Sequence, residues 1–132
     1  MAKMNPVVHF EMPYENGRRL AEFYSEAFGW QMNMLGKEMG DYVIAATTET
    51  DENRMVQRKG AINGGFFPKT ADSAQCPSVV IEVDDIKESM GKIAAAGGKV
   101  LGEPMEIPNV GQYVSFKDTE GNLVSIIQPL RK

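Results

Sequence analysis

Val7-Val8-His9-Phe10-Glu11-Met12 is short, alternating and rich in β-branched residues, and the polar Glu15-Asn16-Gly17 follows it. It reads as a strand running into a helix start. From Arg18 the apolar residues Leu20, Phe23, Tyr24, Ala27 and Phe28 recur at the i, i+3, i+4, i+7, i+8 spacing of one helix face, and Gly29 supplies the stop. Residues 30–35, 41–47 and 61–67 then read as three strands, separated by Gly36, Gly40 and a charged loop over 49–59. The order is β-α-β-β-β.

Residues 69–77 are polar and bracketed by prolines, which marks a linker. The succession then restarts. Residues 78–83 form a strand, Asp84-Asp85 offers a cap, and Ile86, Met90, Ile93 and Ala94 mark a helix face that Gly97-Gly98 terminates. Residues 100–107, 112–117 and 122–128 supply three further strands, with Asp118-Thr119-Glu120-Gly121 as a turn. Spacing supports a duplication. Asn16 and Gly29 lie seven and twenty residues after His9, and Asp85 and Gly98 lie at the same intervals after Ser78. Gly60 and Pro68 are also as far apart as Gly121 and Pro129. The expected organisation is one domain over 1–132, with unit one at 5–68, a linker at 69–77 and unit two at 78–130.

A chain of 132 residues that is 42% apolar can fill such a core without staples. The single cysteine, Cys76, has no partner within the chain, so cysteine usage gives no sign of an oxidising compartment. The first six residues lack the apolar run of a signal peptide, and no stretch approaches the roughly 20 apolar residues needed to span a bilayer. A cytoplasmic protein without membrane contact is expected. The net charge of −4 disfavours a phosphate-neutralising surface despite the pairs Arg18-Arg19 and Arg58-Lys59, so nucleic acid is not an expected partner.

The segments His9-Phe10-Glu11-Met12-Pro13, Phe23-Tyr24-Ser25-Glu26-Ala27-Phe28-Gly29-Trp30, Ala96-Gly97-Gly98-Lys99-Val100 and Phe116-Lys117-Asp118-Thr119-Glu120-Gly121-Asn122 fall in an order that resembles the vicinal-oxygen-chelate superfamily, the glyoxalase, bleomycin-resistance and dioxygenase group. Ile62-Asn63-Gly64-Gly65 and Ile107-Pro108-Asn109-Val110-Gly111 are similar to segments of its small glyoxalase-like members. The resemblance implies an α+β fold in which two tandem βαβββ units form a half-closed, eight-stranded cup, and it implies a homodimer. Functions in that superfamily range from isomerases and ring-cleaving dioxygenases to drug-sequestering binders, so the fold alone names no reaction.

Metal-dependent members take ligands from the first and last strands of each unit, facing the cup. By that resemblance the four places hold His9, Gly64, Ser78 and Ser125. A divalent ion needs three or four imidazole, carboxylate or similar donors, and this set offers one. His9 is therefore the one metal-ligand candidate, with Glu11 two residues on sharing its face, and no cofactor is expected. His9 can alternatively be a hydrogen-bonded, chemically idle residue, or it can transfer a proton or orient a substrate, since an imidazole titrates near neutrality.

Glu11 and Glu82 should point into the cup by alternation, where desolvation would suit either to act as a base; pairing with a cation or contact with water is the bland reading. Tyr113 can stack on or hydrogen-bond a ligand, or only pack. Asn63-Gly64-Gly65 leaves room for a ligand or another backbone to approach, but no helix follows those glycines, which argues against a phosphate-cradling loop. Trp30, Met32, Met34 and Met39 read as core filling, with an adaptable pocket or subunit contact as the other use of the methionines. Serine nucleophile chemistry gains no support, since Ser78 and Ser125 lie in no motif.

The leading expectation is a metal-independent protein that binds a small, partly apolar organic molecule in a cup lined by His9, Glu11, Ser78, Glu82, Tyr113 and Ser125. The alternatives are a metal-dependent lyase, isomerase or dioxygenase that uses His9 as a ligand, and a drug-sequestering resistance protein.

Overall fold

The computed structural model describes residues 3–53 and 55–130; Arg54, inside the expected charged loop, lies outside them. Contacts divide the chain into two units, His9–Pro77 and the chain from Ser78 onward joined by the residues up to Val8. The first, the N-terminal unit, takes β1 (Val7–Tyr14) from His9 on, then α1 (Gly17–Phe28), β2 (Gln31–Met34), β3 (Val43–Ala46) and β4 (Asn63–Pro68). The second, the C-terminal unit, contains β5 (Ser78–Glu82), α2 (Ile86–Ala95), β6 (Lys99–Ile107), β7 (Gly111–Lys117) and β8 (Leu123–Pro129). Both are βαβββ units, as the duplicated spacing predicts.

Their internal topology is the same. The strand order is β2-β3-β4-β1 in one and β6-β7-β8-β5 in the other, with the first and last strands parallel and the remaining neighbours antiparallel. Parallel pairing of first and last strands requires a long crossover, which the helix and the two intervening strands provide.

Each helix starts where a side chain can cap it. Asn16 Oδ1 accepts from Arg19 N at 3.0 Å and Asp85 Oδ1 accepts from Glu88 N at 3.1 Å, each satisfying a first-turn donor that has no intrahelical partner. Gly29, at φ 73°, ends α1 in the left-handed conformation that favours glycine. In the β6–β7 connection Asn109 is left-handed at φ 66°, and Gly111, at φ 151°, lies so close to the Gln128 carbonyl that a side chain there would collide with it. No helix among the described residues is long and apolar enough to cross a membrane.

The sheet of each unit buries one face under its helix. Val43, Ala45 and Phe66 form the buried centre of the N-terminal unit, with Phe10, Met12, Leu20, Tyr24, Trp30 and Met32 packed against it. Val83, Ile86, Val114, Phe116 and Ile126 do the same in the C-terminal unit. Trp30 precedes β2 and is half-buried, its ring stacked on Tyr24 at 4.6 Å.

The α1 face is narrower than its spacing predicts. Leu20 and Tyr24 meet the core, whereas Phe23 and Phe28 are 56% and 63% exposed. At 100° per residue these two phenylalanines fall on opposite flanks of the Leu20–Tyr24 line, beyond the reach of the sheet. Met34 and Met39 are likewise exposed, so only Met32 of that cluster fills the core as expected.

Candidate functional site

On β1, Phe10 and Met12 face the helix, so His9 and Glu11 lie on the opposite face of the N-terminal unit's sheet, the face that α1 leaves open. Tyr42, just before β3, joins them. His9 Nε2 lies 3.0 Å from Tyr42 Oη, and Tyr42 Oη donates to Glu11 Oε2 at 3.2 Å. The phenol is the hinge of a three-residue line. Burial lowers the His9 pKa from its ordinary value of 6.5, because charging the ring would cost solvation that the protein does not replace.

The glycines of β4 explain how that line fits. A Cβ on Gly64 would lie 2.5 Å from the Phe10 ring, on the helix side, and a Cβ on Gly65 would fall inside the Tyr42 phenol, on the open side. The space that Asn63-Gly64-Gly65 leaves is thus occupied by the protein's own aromatic rings.

This also corrects the expected equivalence of Gly64 with Ser125. Glu11 pairs with Gly65 as Val80 pairs with Ser125, so Gly65 is the residue that takes the place of Ser125. The physical reason is core packing. Phe66 follows Gly65 into the core as Ile126 follows Ser125, and this overrides the equal glycine-to-proline spacing by one residue.

In the C-terminal unit, Tyr113 and Ser125 come together. Tyr113 Oη donates to Ser125 Oγ at 2.7 Å, and Ser115 Oγ lies 2.8 Å from the same oxygen. Ser125 is 2% exposed, so these bonds satisfy a hydroxyl that burial would otherwise penalise. Ser78 and Glu82 are half-buried and share with Val80 the face away from Ile81 and the helix. The Glu82 backbone N–H donates to the Pro6 carbonyl at 2.9 Å.

Tyr42, Ser115 and Asn63 are polar residues that the sequence reading did not single out as site residues. Tyr42 could have been found, because the buried alternation of Val43 and Ala45 puts its side chain on the face of Ile44. Ser115 shares the Tyr113 face two residues on. Nothing in the sequence marks Asn63 as an anchor, but its Oδ1 accepts from Thr47 N at 2.7 Å and Thr48 N at 3.3 Å.

Paired βαβββ units with one helix-covered face each define a glyoxalase-like fold, and the description "Glyoxalase/Bleomycin resistance protein/Dioxygenase superfamily" matches residues 7–126. The chain belongs to that superfamily. A glyoxylase-like domain-containing protein of Didymella fabae is 28% identical to it over 123 residues, covering 88% of each chain. The CFP32 protein of Mycobacterium tuberculosis, which bears a glyoxylase name, is 41% identical over 51 residues; the match takes in 39% of this chain and only 20% of CFP32. Among solved structures, Streptomyces coelicolor methylmalonyl-CoA epimerase shares the fold at a TM-score of 0.70 and 15% identity, over 95% of this chain and 97% of the other. A hypothetical protein from Bacillus halodurans does so at 0.69 and 14% identity, over 98% of both chains.

Proposed function

We propose that the chain binds a small, partly apolar organic molecule against the open face of its N-terminal unit and moves a proton on it through His9, without a resident metal ion. The observation that carries this reading is the His9–Tyr42–Glu11 line. With an ionised carboxylate as acceptor, the single phenol proton of Tyr42 goes to Glu11, so His9 Nε2–H donates to Tyr42 Oη and Nδ1 keeps its lone pair. Burial favours the neutral ring at pH 7.

Nδ1 has no partner among the described residues, and no fully buried side-chain nitrogen or oxygen there lacks one, so Nδ1 is not fully buried. A ligand on the open face would meet a neutral imidazole able to accept a proton at Nδ1. The Glu11 charge, relayed through the Tyr42 hydroxyl, would then stabilise the imidazolium.

The donor chemistry supports a metal-free reading. His9 Nε2 is engaged by a phenol, Gly65 has no side chain beside Glu11, and no group of three His, Cys, Asp or Glu converges among the described residues. The second reading is a metal-dependent lyase, isomerase or dioxygenase with His9 as a ligand. It is favoured by the glyoxylase and epimerase names of the proteins this chain resembles.

Two measurements separate the readings. Elemental mass spectrometry of untagged protein, with thermal-shift titrations of nickel, zinc, manganese and iron(II), should find no stoichiometric metal; one equivalent lost in His9→Ala would put the second reading first. Exchange of the C3 hydrogens of 2-oxo-4-phenylbutyrate in D2O should be accelerated by the native protein and not by His9→Gln. Equal exchange by both would end the proton-transfer role.

A further inference from the structure

We propose that Asn63 is a ligand-positioning residue, its side-chain N–H2 holding an sp2 oxygen, carbonyl or carboxylate, of the molecule that His9 acts on. This rests on the function proposed above and narrows its substrate class.

Four observations place the donor. Asn63 lies opposite His9 in the parallel β1–β4 register and therefore on the same open face, since Gly64 beside it turns to the helix side. Its Oδ1 accepts from two backbone N–H groups, of Thr47 and Thr48. Backbone N–H can only donate, so the amide cannot flip, and Nδ2 is held pointing away from those contacts. Nδ2 has no partner among the described residues; Asn63 is half-buried, and no fully buried side-chain nitrogen there is unsatisfied, so Nδ2 is not fully buried.

Such a donor is prepaid in orientation, because the loop and not the ligand has already frozen its rotamer. His9 Nδ1 presents a lone pair and Asn63 Nδ2 a donor, so the pair suits a molecule with an acceptor oxygen close to a labile proton. An apolar hydrocarbon or a simple amine would leave the amide unused.

Asn63→Asp tests this. Aspartate keeps the oxygen that Thr47 and Thr48 require, so the loop stays anchored, and it replaces the free N–H2 by an acceptor. The probes are 2-oxo-4-phenylbutyrate and 4-phenylbutane-1,2-diol, which share a carbon skeleton but not the sp2 oxygens. The readouts are the Asn63 side-chain amide and His9 ring signals in 15N NMR. The keto acid should shift both saturably, the diol should leave the Asn63 amide unmoved, and Asn63→Asp should weaken keto-acid binding about tenfold or more at unchanged thermal stability.

A keto acid that shifts His9 but not the Asn63 amide, and binds Asn63→Asp equally, overturns this inference and leaves the proposed function standing. Loss of thermal stability in Asn63→Asp, with keto-acid affinity retained by the folded variant, overturns it in favour of a purely loop-anchoring role. No response at His9 or Asn63 overturns both readings.

Discussion

Replacing Gly65 by alanine puts one methyl group where the structure has placed a phenol. The three nearest atoms to a Cβ built there are Oη, Cζ and Cε2 of Tyr42, all well inside van der Waals contact, so the ring cannot keep its position. Moving it breaks the 3.0 Å contact to His9 Nε2 and the 3.2 Å bond to Glu11 Oε2. Two hydrogen bonds contribute about 1 kcal/mol each, and overpacking a buried strand position adds about 1–3 kcal/mol. The reduced freedom of the unfolded chain offsets only about 0.4–1 kcal/mol. A net loss of about 2–5 kcal/mol is expected, read as a lower urea midpoint at unchanged slope. The His9 ring signals in 15N NMR should move with it. Gly91→Ala is the control: nothing lies within 4 Å of a Cβ there, inside α2, so this change should stabilise by about 0.5–1 kcal/mol. A Gly65→Ala protein within about 0.5 kcal/mol of the native one, with unmoved His9 signals, would refute the steric argument.

The remaining predictions concern protonation, core and cap. His9 has its folded-state pKa pushed below 6.5 by burial, so between that lowered value and 6.5 the unfolded chain binds a proton that the folded chain does not. Stability should therefore be full above pH 6.5 and fall as the pH drops through that value, and His9→Gln should flatten this leg of a urea-midpoint series between about pH 7 and pH 5; an identical slope in the variant counts against it. Phe66, 1% exposed at the centre of the N-terminal core, should cost about 3–5 kcal/mol on change to Ala, and a loss under about 1 kcal/mol in chemical denaturation would mean that the core collapses around the cavity. Asp85→Ala should cost about 1 kcal/mol, with amide exchange faster at Glu88 than at the helix centre; uniform protection would show that the cap is dispensable.

Periodicity and punctuation are local properties, and they made the two βαβββ units, both N-caps and the Gly29 stop readable from the chain alone. Alternation from His9 likewise put Glu11 on its face, because a strand's period of two needs no knowledge of the neighbours. Segments 9–13, 23–30, 96–100 and 116–122 carried the resemblance to the superfamily for the same reason: they are contiguous runs. Which strand residue stands opposite which is not local. Equal spacing from Gly60 to Pro68 and from Gly121 to Pro129 suggested one register, and the burial of Phe66 and Ile126 imposed another, displaced by a residue. Tyr42 joins His9 and Glu11 because Gly65, 23 positions later in the chain, leaves room for its ring between them. The Asn63 amide is fixed in orientation because two backbone N–H groups of the segment after β3 donate to its oxygen. Pairings of that kind depend on the packed core beneath them, and only the tertiary structure decides them.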